Sequence, residues 1–228
     1  MFDILLIDLD DTVLDFKKAE ALAVSKTISS FSLAPTPEVL HRYHIINKMH
    51  WEMMERKEIN REQVLVGRFE MLFREMGVNV DPVLCARTYE GNLSQGHYFL
   101  PGAPEALEQL SQNYRLFLAS NGTARVQAGR LESAGISHYF ENIFISENIG
   151  VNKPDKGYFD RCFAQIQDFD PEKTLIVGDS LSSDILGGKN AGIATCWVNP
   201  EGKEAPADLQ PDYQIQALAQ LPQLLQYA

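Results

Sequence analysis

The sequence predicts an α/β protein: a doubly wound parallel sheet with a helical bundle inserted after its first strand. Three observations predict it. Short apolar runs end in acids or hydroxyls, helical patterns alternate with those runs, and one long stretch from about Phe16 to Gln95 carries no strand pattern. At 228 residues, one α/β domain with a sizeable insertion fits the length.

Phe2 to Ile7 reads as the first strand, mostly apolar and stopping at Asp8. Further runs lie at Arg115–Ala119, Ile143–Ile145, Thr174–Val177 and Ala194–Val198, with a weaker one at Tyr213–Ile215. Near-continuous apolar runs suit strands covered on both faces. Helices are expected between them at Pro104–Gln112, Ala124–Ala134, Pro154–Ile166 and Ser183–Ala191, with Gly135 and Gly192 at C-cap positions. Such alternation implies right-handed crossovers and parallel strands.

The insertion has well-marked helix starts. Thr36-Pro37 and Asp81-Pro82 each set a capping side chain before a proline, and Asn60-Arg61-Glu62-Gln63 resembles a capping box. About four helices are expected, with the chain returning through Pro101-Gly102-Ala103-Pro104. The predicted organisation is a core of residues 1–15 and 98–228 and a helical cap of residues 16–97. A bundle inserted at the C-terminal end of a strand hangs over the edge where open α/β sheets bind ligands, so it reads as a lid.

Composition narrows the partners. A formal net charge of −11 disfavours a nucleic-acid polymer or an anionic membrane, yet allows a small anionic substrate served by a metal ion and local cations. The three cysteines, Cys85, Cys162 and Cys196, lack metal-ligand spacing and read as buried or neutral thiols of a reducing compartment. The start of the chain lacks a secretory pattern, and no stretch approaches the ~20 apolar residues of a membrane span. A cytoplasmic location is expected.

The chemistry-bearing residues stand where strands end. Asp8 and Asp10, in Asp8-Leu9-Asp10-Asp11-Thr12, can approach one phosphorus from different sides. Asp8 could attack it, while Asp10 protonates the leaving oxygen and later deprotonates water. Thr12 would tether the loop through its hydroxyl. An acidic turn capping the next helix would explain this segment equally simply. Ser120-Asn121-Gly122-Thr123 follows the second strand; a hydroxyl and free backbone N–H groups before a helix make an anion cradle, and a plain N-cap is the alternative. Lys153, before the helix-starting Pro154, could neutralise phosphate, or could be surface decoration. Gly178-Asp179-Ser180-Leu181-Ser182-Ser183-Asp184 brings another acid. Asp8 and Asp179 together would suit magnesium, which takes hard oxygen ligands. Each piece alone is weak. Four successive strands delivering acid, hydroxyl, lysine and acid to one edge are hard to explain as capping.

This set resembles the four motifs of the haloacid dehalogenase superfamily, in sequence order and over essentially the whole chain. Asp8, Asp10 and Thr12 match the first motif, Ser120 the second, Lys153 the third, Asp179 and Asp184 the fourth. The resemblance implies a Rossmann-like core with a helical cap, Asp8 as nucleophile and Asp10 as acid/base. It also implies Mg2+ held by Asp8, the Asp10 carbonyl and Asp179, with Asp184 helping to hold Lys153. Dehalogenases and phosphonate-cleaving members of that superfamily lack the second aspartate, so the resemblance makes Asp10 point to phosphate-ester hydrolysis or to phosphoryl transfer between substrate oxygens. Asn47-Lys48 with Trp51, Gly67-Arg68-Phe69-Glu70 and the run from Asp184 to Trp197 resemble the bacterial pyrimidine nucleotidase branch. That implies a nucleoside monophosphate substrate; by their side-chain chemistry, Asn47 and Arg68 in the cap can hydrogen-bond a base or sugar, and Trp51 and Phe69 offer flat apolar surface for stacking. Helix-bundle core is the simpler expectation for each of those aromatics. The same chemistry on a phosphosugar or phosphoglycolate, or a sugar phosphomutase, remains open, as does the choice between monomer and homodimer. A phospho-aspartate signalling module is disfavoured, because its accepting aspartate follows a later strand and it carries no cap.

Overall fold

The computed structural model describes residues 1–226. Its elements in chain order are β1 (Ile4–Ile7), α1 (Phe16–Ser30), α2 (Pro37–Glu55), α3 (Arg61–Met76), α4 (Pro82–Leu93), α5 (Ala103–Ser111), β2 (Arg115–Ser120), α6 (Ala124–Ala134), β3 (Asn142–Ile145), α7 (Ser146–Ile149), α8 (Lys156–Phe163), β4 (Thr174–Gly178), α9 (Leu186–Ala191), β5 (Ala194–Val198), β6 (Tyr213–Ile215) and α10 (Leu221–Leu224). The strands form one sheet in the order β3-β2-β1-β4-β5-β6, and every neighbouring pair is parallel. Strand order reverses at β1, flanked by β2 on one side and β4 on the other. In such sheets the crevice at that reversal is the ligand site.

Side chains alternate across each strand, so two apolar layers form. Leu5, Ile7, Leu116, Leu118 and Val177 pack on one face with Leu107 and Leu131, while Ile4, Leu6, Phe117 and Ile176 pack on the other with Tyr158 and Phe159. Helices α1–α4 build a third cluster of their own around Tyr43, Phe69 and Tyr89. One outside residue joins it: Val126 of α6, the helix on which the bundle rests.

The expected helix starts are present. Thr36 and Asp81 cap α2 and α4, and Asn60 and Gln63 make both bonds of a capping box on α3. Gly135 and Gly192 end α6 and α9 with φ of 69° and 72°, a region that costs a residue with a Cβ 1–2 kcal/mol or so. Two helices differ from expectation. Pro154 does not open α8; Asp155 caps it by accepting from the Gly157 N–H (2.9 Å), and the helix ends at Phe163 rather than Ile166. The segment expected from Ser183 begins instead at Leu181 as a wide turn through Ile185, capped by Ser180, before α9. Cys85, Cys162 and Cys196 are all buried and unpaired with one another. Among the described residues no helix is long and apolar enough to cross a membrane.

Candidate active site

The backbone N–H of Asp8 donates to the Val177 carbonyl of β4 (2.9 Å), so the sheet's own ladder sets this side chain at the reversal of strand order. The buried ammonium of Lys153 donates to Asp8 Oδ1 (2.8 Å), Asp184 Oδ1 (2.6 Å) and the Ala119 carbonyl (2.5 Å). That spends all three of its hydrogens. Asp184 is held in turn by the Ser180 N–H on its other oxygen (3.1 Å), and a Cβ on Gly178 would collide with its carboxylate. Asp8, Asp179 and Asp184 bring ligand oxygens within 4.8 Å of one another.

Three acids facing one ammonium leave an excess of buried negative charge. Burial, reinforced by Asp184 and Asp10 and opposed by Lys153, pushes the Asp8 carboxyl up to about 7. Burial and then the Asp8 and Asp184 charges hold Asp179 well above the carboxylate range. Burial works against the charge of Lys153, yet Asp184 and Asp8 outweigh it and keep the ammonium above its ordinary value. Hard oxygens with surplus charge fit a divalent cation such as magnesium.

Beside this cluster, Ser120 Oγ accepts from the Gly122 N–H (3.1 Å) and from Gln127 Nε2 (2.8 Å). With both lone pairs engaged, its hydroxyl hydrogen is free to donate to an anion. The expected cradle of free N–H groups is thus modified, since the Gly122 N–H is turned onto Ser120. The Asn121 side chain is also committed: it clamps Lys153 at both N–H and carbonyl (2.9 Å each). A plain N-cap is not the explanation for this segment, because Thr123 makes no side-chain cap bond and the first free N–H of α6, at Ala124, goes to Glu147 (2.6 Å). Thr12 corrects another expectation. Its buried hydroxyl has no partner among the described residues, and the neighbouring Asp11 ties the loop by accepting from the Phe16 N–H (2.9 Å).

Asp10 is held by two residues of α6 that sequence reasoning missed. Its Oδ1 pairs with Arg130 Nη1, and its Oδ2 accepts from Gln127 Nε2 (2.7 Å). Gln127 and Arg130 stand three residues apart, on one face of the helix. A charged residue between the apolar Val126 and Leu131 was the available signal.

The cap contributes unequally. Trp51 lines the crevice that holds Asp8, Asp10, Ser120 and Lys153. Arg68 is buried but lines a smaller adjoining cleft with Asp10, Tyr89 and Gln127. Asn47 is spent inside the bundle: its oxygen accepts from Trp51 Nε1 (3.1 Å) and Arg68 Nη1 (2.7 Å), and its amide donates to Glu20 (2.6 Å). Phe69 is fully buried between Tyr43 and Tyr89, at ring distances of 5.1 and 5.6 Å, so it serves the core and not a stacking surface. The bundle also grips the core directly. Arg61 donates to the carbonyls of Asn121 and Gly122 (3.2 and 3.1 Å), to Ser146 Oγ (2.8 Å) and to Asn152 (2.9 Å), and its guanidinium lies over the Trp51 ring. Lys57 pairs with Asp155 (2.7 Å), and Glu55 accepts from Ser182 (2.9 Å). In the sequence Arg61 showed only as the interior of a capping box.

Against known proteins, residues 5–198 match the family of haloacid dehalogenase-like hydrolases. The pyrimidine 5'-nucleotidase PynA of Streptococcus pneumoniae is 38% identical over 94% of this chain and 91% of its own length. The pyrimidine 5'-nucleotidase YjjG of Escherichia coli is 34% identical over 98% of each. The crystal structure of the HAD-hydrolase YfnB of Bacillus subtilis, bound to magnesium and showing interdomain movement, superposes with a TM-score of 0.94 at 38% identity over 98% of both chains.

Proposed function

The chain belongs to the haloacid dehalogenase-like hydrolases, and from that premise we propose that it is a magnesium-dependent phosphatase of pyrimidine nucleoside 5'-monophosphates working through an aspartyl-phosphate on Asp8. One observation carries the reading: Lys153 ties Asp8 to Asp184 at the end of the central strand, with Asp179, Ser120 and Asp10 lining the same crevice. Lys153 fixes one Asp8 oxygen and leaves the other to attack phosphorus. The free Ser120 hydrogen and the Lys153 ammonium oppose the charge on the phosphoryl oxygens. Asp10 gives a proton to the departing ester oxygen as the Asp8–phosphorus bond forms. Asp10 then takes a proton from the water that cleaves that bond, returning phosphate and free Asp8. Asp8, Asp179 and the Asp10 carbonyl would hold magnesium, which when bound neutralises charge on the cluster and the phosphoryl group.

Two relatives named as pyrimidine 5'-nucleotidases support the substrate class, and Trp51 brings an aromatic ring to the crevice that holds Asp8. We take residues 16–97 as the cap that selects the leaving group, because the core groups grip only the phosphate common to all phosphomonoesters. Phosphate release from a panel of nucleoside monophosphates and phosphosugars, with magnesium and with chelator, tests the proposal. Magnesium-dependent preference for pyrimidine nucleotides is expected; preference for phosphosugars would overturn the substrate assignment.

A further inference from the structure

We propose that Arg130 and Gln127 are positioning residues for Asp10, locking its carboxylate in register with the Ser120 hydroxyl. The inference rests on the acid–base role given to Asp10 above. Arg130 is fully buried on α6, and such a charge is costly unless paired. Its one carboxylate partner among the described residues is Asp10. The guanidinium is itself fixed: Nε donates to the Gly96 carbonyl (3.0 Å), and Nη1 also reaches the Gln127 oxygen (3.1 Å). A planar fork held at that edge offers Asp10 a single direction.

Gln127 completes the lock. Its Nε2 donates at once to Asp10 Oδ2 (2.7 Å) and to Ser120 Oγ (2.8 Å). One amide therefore spaces the proton-transfer carboxylate from the hydroxyl that faces the phosphoryl group. The arrangement is poorly explained as stabilisation alone. Arg130 Nη2 is buried without a partner among the described residues, whereas an apolar side chain would fill the same space with no polar group to satisfy. Both Asp10 oxygens receive a donor although the side chain lines the open crevice, where water could have served. Holding a reacting group is worth much, since a displacement of ~1 Å can cost ~100-fold in rate.

The test is a set of double-mutant cycles on a nucleoside monophosphate. Gln127→Met and Arg130→Lys should each lower kcat by about tenfold or more while KM stays within about threefold. Introduced into Asp10→Asn, each should cost less than about twofold further, because the group they position has already lost its proton chemistry. Gln127→Met removes the donors without stranding a charge, so it carries the test should Arg130→Lys fail to fold. Losses that multiply in the Asp10→Asn background, or that appear only in KM or in thermal stability, would overturn the positioning role. An Asp10→Asn enzyme with wild-type kcat would instead bring down the acid–base reading, and this inference with it.

Discussion

Two buried polar networks lie on either side of the crevice, one in the core and one in the cap. In the cap, Glu20 accepts from His44 (2.6 Å) and Asn47, and Asn47 accepts from Trp51 and Arg68. Donors and acceptors there satisfy one another. In the core, Lys153 is shared between Asp8 and Asp184, while Asp179 stands nearby with no basic side chain paired to it among the described residues. Both networks bury polar side chains, Glu20, Asn47 and Arg68 in the cap and Asp8, Lys153 and Asp184 in the core. What separates them is surplus: the cap network closes on itself, and the core network leaves charge for a ligand to answer. Uncompensated buried charge, more than the burial of polar side chains, is what sets the core network apart.

Substitutions can break that contrast, beginning with the core. Asp8→Asn should lower turnover by more than about a thousandfold while the fold persists, since an amide cannot attack and covalent catalysis supplies several kcal/mol. Steady-state phosphate release and circular dichroism check this together. Asp10→Asn should cost about 100-fold or more on a nucleoside monophosphate. It should cost far less in the phosphorylation step of an activated aryl phosphate, whose leaving group scarcely needs a proton. Equal losses in that step, measured by rapid quench, would remove Asp10 as the acid.

Effects in the cap should be smaller and different in kind. Trp51→Leu should reduce activity on nucleoside monophosphates by about 1–3 kcal/mol in kcat/KM and leave an aryl phosphate nearly untouched. Equal losses on both would make Trp51 a packing residue like Phe69. Asn47→Leu leaves Glu20 Oε1 and Arg68 Nη1 without the partner Asn47 gave them, and should cost about 1–3 kcal/mol of stability, read as a lowered Tm, with less effect on the chemical step. The smallest effect concerns His44. The hydrogen bond that its ring donates to Glu20 raises its pKa above the ordinary value despite partial burial. A raised folded pKa means that the charged pair stabilises fully below the unfolded value of about 6.5 and fades as pH climbs through the folded one. The Tm gap between wild type and His44→Gln should therefore shrink from acidic to alkaline pH, and modestly, because the ring is 40% exposed. A gap that widens would contradict the sign.

The legibility of the sequence follows the same division. The strands were readable because burial on both faces writes continuous apolar runs, as at Thr174–Val177, and the helix starts because Thr36, Asn60 and Asp81 act locally. Asp8, Asp10, Ser120, Lys153 and Asp179 were readable because each stands at or beyond the C-terminal end of a strand, so their convergence is a property of the topology. Arg61, Gln127 and Arg130 were not, because the site partners of Arg61 and the Asp10 contacts of Gln127 and Arg130 lie 60 or more positions away, and helical spacing alone cannot name those partners. Phe69 and Asn47 misled for a related reason. Aromatic and amide side chains on an amphipathic helix look alike whether they face a cleft or a neighbouring helix.

The most direct test of the account is to trap the intermediate. Enzyme quenched during turnover of a nucleoside monophosphate with magnesium would be treated with borohydride, which reduces an acyl-phosphate to the alcohol, and then mapped by peptide mass spectrometry. Homoserine is expected at position 8, absent without substrate and absent from Asp8→Asn. Turnover with Asp8 unmodified throughout, or a modified acid at another position, would contradict it.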